Sequence, residues 1–336
     1  INSMGCQHST SMASENQTKM STAAEIEAFK CTAQGSGILG DTHVQITGTD
    51  WTLLLDEPVD EGGKNQNANP MQFFISSLVG CENELAAVIA EELKIKIEKI
   101  DFDVSCDLDL GAFGGGNLAL TQPYVQAVIM ATVTTDGTEE QVASLAASCA
   151  ARCPVRRLLV NSGVVVKSAY AKAGGKPMAS IDVGSEPTEP VERFHCTAQG
   201  SGIMGDTRVQ ITGTEWKLLL DEPTEDGGNN KAANPMQYFI ASLAACENEQ
   251  AAVIAGELKI KIEKIDWIVQ VDLDLVGFEG KNLKLSQPYT ATSITAKVTT
   301  DGTAEQVVSL AASLHARCPI RRLLVNSGVD VKSQIT

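Results

Sequence analysis

The chain has 336 residues, with 26 Lys and Arg against 42 Asp and Glu, so its formal net charge is −16. This surplus repels phosphate backbones, and nucleic acid is not expected as a partner. Hydrophobic residues make up 43% of the chain. They are enough for a substantial core, but no uninterrupted apolar run reaches the roughly 18 to 20 residues of a membrane-spanning helix. Nine cysteines are too few for a disulfide scaffold, so reduced thiols in a reducing compartment such as the cytoplasm are expected.

A long internal repeat organises the chain. The segment Cys31–Ile38 returns unchanged as Cys196–Ile203, and residues 31–168 match 196–333 without a gap, with about 100 identities. This period far exceeds the roughly 20 to 50 residues of solenoid repeats, so each copy is expected to have its own core. Two near-identical copies in one chain predict a covalent pseudo-twofold dimer.

The repeats predict two domains, over residues 28–168 and 193–336. Between them, residues 169–192 are rich in Pro, Glu and Ser, a composition typical of a linker. Residues 1–27 are predicted to form a flexible N-terminal tail.

The tail contains a possible lipidation signal. It begins with Ile1, but if translation starts at Met4, then Gly5 fits a myristoylation motif and Cys6 beside it a palmitoylation site. Two acyl chains would attach the protein peripherally to a membrane. The alternative is a disordered tail in which the motif occurs by chance.

Hydrophobic periodicity predicts the secondary structure of repeat 1 in chain order. Asn69 followed by Pro70 is typical of a helix N-cap and first turn, and apolar residues then recur at spacings of three and four. The first strand begins at Cys31. Further strands are predicted over 43–47, 51–55, 100–110, 124–134 and 164–167, and helices over 70–93, 138–151 and from 154 to a stop at 163. This order predicts an α+β fold, with helices packed against a mixed or antiparallel sheet.

The duplication sorts the cysteines into two groups. Both copies contain the pairs Cys31/Cys196, Cys81/Cys246 and Cys153/Cys318. Cys106 and Cys149 occur only in repeat 1, where repeat 2 has Val271 and Leu314, so both are interpreted as apolar core residues. A resolving role for Cys149, four residues before Cys153, stays open.

Two of the shared pairs have local features that bear on thiol chemistry. Cys153 and Cys318 each precede a proline at a predicted helix N-terminus and lie near three arginines, which predicts a lowered thiol pKa. The alternative is a cysteine that only caps a helix. Cys81 and Cys246 lie on the apolar face of the long helix, where burial alone would raise the pKa and make them core residues.

The sequence resembles the OsmC/Ohr family of thiol-dependent peroxidases, and in particular its OsmC-like branch. The resemblance rests on Asn69-Pro70-Met71-Gln72 through to Cys81, and on Ala151-Arg152-Cys153-Pro154 through to Leu159. Repeat 2 contains both motifs, at 234–246 and 316–324.

The resemblance implies an intertwined two-subunit fold whose active sites lie near the interface, with the two repeats acting as the two subunits. It also implies that Cys81 and Cys246 attack a hydroperoxide and that Cys153 and Cys318 resolve the resulting sulfenic acids as disulfides. A small dithiol or lipoyl-type reductant would restore the thiols. The resemblance implies no metal or organic cofactor.

One part of the family pattern is missing. Ohr-type members use an Arg from the N-terminal hairpin and a Glu shortly after the Asn-Pro pair, but the Glu positions are Met71 and Met236 here, and the first hairpin has His43 where the second has Arg208. The alternative to a peroxidase is therefore a noncatalytic scaffold or binding protein built on the same duplicated fold, as part of a larger assembly.

Two other classes of site are disfavoured. The four histidines share no metal-ligand spacing between the copies. Four aspartates alternate along one predicted strand, at Asp101, Asp103, Asp107 and Asp109, and are interpreted as a solvated strand face. The glycines at 114–116 lack the lysine and helix start of a phosphate-binding loop.

Overall fold

The structure is a computed structural model that describes residues 24–176, 181, 187, 188 and 190–336. The proposed acylation sites, Gly5 and Cys6, lie outside the described residues.

Each repeat contains six strands and three α-helices among its described residues. In repeat 1 these are β1 (Ile26–Gly35), β2 (Thr42–Ile46), β3 (Thr52–Leu55), α1 (Pro70–Leu93), β4 (Ile97–Asp109), β5 (Tyr124–Thr135), α2 (Glu139–Arg152), α3 (Pro154–Asn161) and β6 (Val165–Lys172). In repeat 2 they are β7 (Val191–Gly200), β8 (Thr207–Ile211), β9 (Lys217–Leu220), α4 (Pro235–Leu258), β10 (Ile262–Asp274), β11 (Tyr289–Thr300), α5 (Ala304–Arg317), α6 (Pro319–Asn326) and β12 (Asp330–Ile335).

The long helix α1 begins where its sequence predicts. The Asn69 side chain accepts a hydrogen bond from the backbone N–H of Gln72, whose side chain accepts from the Asn69 N–H, and Pro70 occupies the first turn. The helix is long and apolar enough to cross a membrane, although glutamates interrupt its apolar run, but 94% of its most apolar window is buried inside the protein. It is therefore a core helix.

The repeats exchange strands. One sheet has the order β12-β11-β10-β1-β2-β3 and the other β6-β5-β4-β7-β8-β9, so each sheet combines three strands from each repeat. The joining strands are antiparallel, with β1 beside β10 and β4 beside β7. Neither repeat has a complete sheet of its own, and the buried residues of both repeats form one core, so the expectation of a separate core for each copy is wrong. The predicted intertwined pseudo-dimer is confirmed. Strands occupy both ends of the predicted linker, residues 169–192, because β6 extends to Lys172 and β7 begins at Val191.

The helices lie between the two sheets, where α1 packs against α4. On the sheet that joins β4 to β7, the aspartate row of repeat 1 meets polar side chains of repeat 2. Asp107 pairs with Arg193 at 2.7 Å, and Asp103 contacts His195 at 2.9 Å. The row therefore joins the repeats, rather than facing only solvent as its spacing predicts.

Candidate thiol site

The structure brings the two shared cysteines of each repeat together. The Sγ atoms of Cys81 and Cys153 are 3.1 Å apart, and those of Cys246 and Cys318 are 3.2 Å apart. All four are free thiols and are buried. Because 72 residues separate the members of each pair, only the tertiary fold creates this contact. A two-electron oxidation would need only a short approach of the two sulfurs to convert either pair to a disulfide.

The chain places Cys153 at the junction of two helices. Its backbone N–H donates to the Cys149 carbonyl at the end of α2, and its Sγ accepts from the Arg156 N–H at the start of α3. Pro154 cannot continue the hydrogen bonding of α2, so the chain turns at Cys153 and α3 begins. The predicted N-cap geometry is present, and Cys318 has the same arrangement before Pro319.

The predicted lowering of the Cys153 and Cys318 pKa is wrong. Burial raises the pKa of both thiols well above the usual range, and the hydrogen bond from the helix N-terminus opposes this only in part. A helix end stabilises a thiolate, but desolvation of the charged sulfur is the larger effect at a site with no exposed surface.

The arrangement of the pair favours Cys81 as the more acidic thiol. Burial also raises the Cys81 pKa, but the Cys153 thiol donates a hydrogen bond to the Cys81 sulfur, which lowers it. The same hydrogen bond raises the Cys153 pKa. Helix position alone favours Cys153 as the attacking thiol, whereas the pair geometry favours Cys81.

Cys81 opens onto a cleft of about 420 Å³ between the repeats. From repeat 1 come Cys81, Glu84 and Pro154, and from repeat 2 come the residues around Glu222 and Asn234. The start of α4 lies close to Gly80 of α1. A Cβ there would lie 2.8 Å from Leu220 and 2.9 Å from Pro235.

The cleft is apolar in its walls and acidic in charge. Its apolar side chains include Phe29, Val88, Met204, Leu273 and Phe278, and its carboxyl groups are Glu27, Glu84, Glu222, Asp226 and Glu279. Lys281 is the one basic side chain among the described residues of the lining, and it pairs with Glu25 and Glu279 at 2.7 Å each. No unpaired cation therefore faces Cys81 from the described lining.

The arginines near Cys153 in sequence bind other groups. Arg152 pairs with Glu92 at 2.8 Å and donates from Nε to the Phe278 carbonyl at 3.1 Å, which holds the repeat 2 loop at the edge of the cleft. Arg156 donates to Ser168. These side chains shape the site but donate no hydrogen bond to the thiols.

The remaining repeat 1 cysteines are core residues. Cys106 has 1% of its surface exposed, and burial raises its pKa to about 12, which confirms its predicted place in the core. Cys149 is also buried, near Tyr170, and burial raises its pKa well above the usual range. Repeat 2 has Leu314 and Ile335 at the positions of Cys149 and Tyr170, so the surroundings of the two thiol pairs differ.

Sequence reasoning missed the carboxyl groups beside the thiols. Glu84 lies one turn after Cys81 on α1, and Glu222 approaches from the other repeat. A signal was present, because Cys-Glu-Asn-Glu at 81–84 and Asp-Glu-Pro at 56–58 both occur again in repeat 2. Nothing in the sequence showed that these two segments meet across the repeats.

Comparison with known proteins identifies the same family for both repeats. The family model described as OsmC-like protein matches twice, over residues 63–169 and 228–334. A search of the curated proteins found no match.

Similar solved structures include an organic hydroperoxide resistance protein OsmC from Legionella pneumophila, with 25% identity and a TM-score of 0.35, covering 46% of this chain and 99% of that one. An organic hydroperoxide resistance protein from Elizabethkingia anophelis has 19% identity and a TM-score of 0.34, covering 43% and 94%. An OsmC-like protein from Mycoplasma pneumoniae has 17% identity and a TM-score of 0.33, covering 39% and 86%. Each of these chains is matched over most of its length by less than half of this one.

Proposed function

This chain belongs to the OsmC family, and from that membership we propose that it is a thiol-dependent peroxidase with a two-cysteine centre in each repeat. The observation that carries the proposal is the contact of two buried thiols at 3.1 Å and 3.2 Å, once per repeat. Two thiols within bonding approach can together supply the two electrons that reduction of a hydroperoxide requires.

The reaction proceeds in two steps at each centre. The Cys81 sulfur attacks one peroxide oxygen, the O–O bond breaks, and the other oxygen leaves as an alcohol after taking a proton. This leaves a sulfenic acid on Cys81. The Cys153 sulfur then attacks the Cys81 sulfur, water leaves, and a disulfide forms. A small dithiol, itself oxidised to a disulfide, returns both cysteines to thiols. Cys246 and Cys318 act in the same way.

The cleft favours an uncharged substrate. Five carboxyl groups line it, and its one described basic residue is already paired. An anionic hydroperoxide would meet like charge there, whereas the apolar walls accept an aryl or alkyl group. We therefore propose neutral organic hydroperoxides as the preferred substrates.

Turnover tests both the function and this preference. With dihydrolipoamide as reductant, the reduced chain is expected to consume cumene hydroperoxide with a kcat/KM at least about tenfold above that for the para-carboxylate derivative. Added salt should narrow the ratio, because it screens the exposed carboxylates, and Glu279→Lys should narrow it further. Equal rates for both substrates would contradict the preference.

A scaffold function is the second candidate, and the acidic surroundings of Cys81 favour it, since nearby carboxylates oppose thiolate formation. The test uses a folded chain with reduced thiols, both hydroperoxides and several dithiols. If no combination gives turnover, the peroxidase function is contradicted and the scaffold function is favoured.

A further inference from the structure

Two carboxyl groups from different repeats face each other beside Cys81. Glu84 belongs to α1 of repeat 1, and Glu222 follows β9 of repeat 2. Both line the cleft that contains Cys81, and the two carboxyls lie within hydrogen-bonding reach of each other. Residues three apart on a helix share a face, so Glu84 lies on the Cys81 side of α1.

The protein holds Glu222 in place. The Nδ2 of Asn234, the N-cap of α4, donates to the Glu222 carboxyl at 3.0 Å. The preceding Asp221 is itself buried, and its carboxylate accepts backbone N–H groups from Asp206, Asn229 and Lys231. The Asp221 side chain therefore organises the loop that contains Glu222, and the hydrogen bond from Asn234 orients the Glu222 carboxyl.

Glu84 is buried and incompletely paired. Only 4% of its surface is exposed, and its Oε1 has no hydrogen-bond partner among the described residues. An unsatisfied buried oxygen that borders a cleft is costly in the free protein, so a ligand atom or a proton that reaches it is favoured.

The surroundings disfavour ionisation of both carboxyls together. Burial raises the pKa of Glu84 well above the usual range and that of Glu222 to about 7. The groups that face the pair from neighbouring elements are mostly acidic. They are Glu27 on β1, Asp221 after β9, Asp226 in the helical turn Thr224–Asp226, Glu279 in the loop after β10 with its partner Lys281, and the thiols of Cys81 and Cys153. Of the two carboxyls, Glu84 therefore holds its proton more tightly, and Glu222 is the member that ionises first.

We propose that Glu84 and Glu222 are the acid–base pair of the Cys81 centre, with one member supplied by each repeat. The inference rests on the proposed peroxidase function. Ionised Glu222 accepts the Cys81 thiol proton as the sulfur attacks, and the proton shared by the pair passes to the departing alkoxide, which leaves as the alcohol. The pair ends with the number of protons with which it began.

The Cys246 centre has the corresponding pair. Glu249 is buried with an unpartnered Oε1, and Glu57 from repeat 1 lies within hydrogen-bonding reach. The Nδ2 of Asn69 donates to Glu57 at 3.0 Å, as Asn234 does to Glu222. Each repeat therefore supplies its partner's centre with a carboxyl.

Glutamine variants separate proton transfer from a structural role. In a chain carrying Cys246→Ser and Cys318→Ser, so that only the Cys81 centre can react, the rate of Cys81 oxidation by cumene hydroperoxide is measured from pH 5 to 9. The starting chain should show a rise in rate through about pH 7, where Glu222 ionises. Glu222→Gln should lower the rate at pH 7 by about 100-fold and remove that rise. Glu84→Gln should lower it similarly, while Glu84→Asp should restore part of it.

Glutamine mimics a protonated carboxyl, so a purely structural role predicts wild-type rates in both variants. That result would overturn the proposal. Glu91→Gln, which changes an exposed carboxyl of the same helix, serves as the control and should leave the profile unchanged.

Alkylation of Cys81 by iodoacetamide distinguishes failure of this proposal from failure of the peroxidase. If no hydroperoxide oxidises Cys81, the peroxidase fails. In that case, an alkylation rate that rises through pH 7 only when Glu222 is present still supports proton transfer by the pair. An alkylation rate that does not depend on Glu222 overturns the proposal.

Discussion

Replacing Cys81 and Cys246 together with Ser is expected to lower hydroperoxide turnover by about a thousandfold or more, because both centres lose the attacking sulfur. Replacing Cys153 and Cys318 instead should allow one oxidation per centre and then stall. The sulfenic acids on Cys81 and Cys246 would have no neighbouring thiol with which to condense, so dimedone should label those two residues. Stopped-flow peroxide consumption and peptide mass spectrometry measure the two outcomes.

Repeat 2 supplies the matched control for these variants. Cys106→Val introduces the residue that repeat 2 has at the equivalent position, Val271, into a buried strand site. Turnover should be within about twofold of wild type, since the change keeps an apolar core residue of similar size. Equal loss of activity in Cys106→Val, or substantial turnover without Cys81 and Cys246, would contradict the assigned roles.

Arg321→Ala is expected to lower the free energy of unfolding by about 3 to 5 kcal/mol. The Arg321 guanidinium donates to both carboxylate oxygens of Glu247, at 2.8 Å and 2.6 Å, and the two side chains are 2% and 0% exposed. Removing the arginine leaves a buried carboxylate next to Cys246 without its counter-charge. Urea unfolding followed by circular dichroism measures the change.

A second variant and an exposed pair complete this test. Arg321→Met with Glu247→Leu removes both charges and should recover most of the lost stability, because neither ion is then left unpaired. Lys332→Ala breaks an exposed pair with Asp330 and should cost less than about 0.5 kcal/mol. A double variant as unstable as Arg321→Ala would show that packing, rather than the unpaired charge, dominates.

Local sequence signals predicted the elements well. Asn69 and Pro70 fix the start of α1 through a capping box and a ring that fits the first turn, and Pro154 forces the break at Cys153. These effects act over a few residues, so they can be read without the fold. The predicted start of the first strand, Cys31, is too late, because β1 begins at Ile26, within the predicted tail.

Properties that depend on distant neighbours were harder to predict. The pKa of Cys153 follows from complete burial, which the helix cap motif does not reveal, and the predicted direction was wrong. The meeting of Glu84 with Glu222 needs the strand exchange, which brings the loop after β9 of repeat 2 to α1 of repeat 1. The family resemblance implies that Cys81 and Cys153 meet. Their spacing in the sequence alone does not imply it.

The two centres are not identical in their surroundings. Beside the Cys81 pair, Tyr170 donates to Glu82, and the Arg156 guanidinium lies 3.8 Å from the Glu82 carboxylate. Repeat 2 has Ile335 at the position of Tyr170, and Arg321 binds Glu247 more closely, at 2.6 Å. Since buried charges next to a thiol change its pKa, the two centres are expected to react at different rates.

Residue-resolved mapping of disulfides in the full chain, after one equivalent of cumene hydroperoxide per centre, tests the central claim most directly. The predicted result is a loss of four hydrogens, about 4 Da, with peptides linking Cys81 to Cys153 and Cys246 to Cys318. Two results would contradict the account: Cys81, Cys153, Cys246 and Cys318 all remaining free thiols after the treatment, or disulfides that join them to other cysteines.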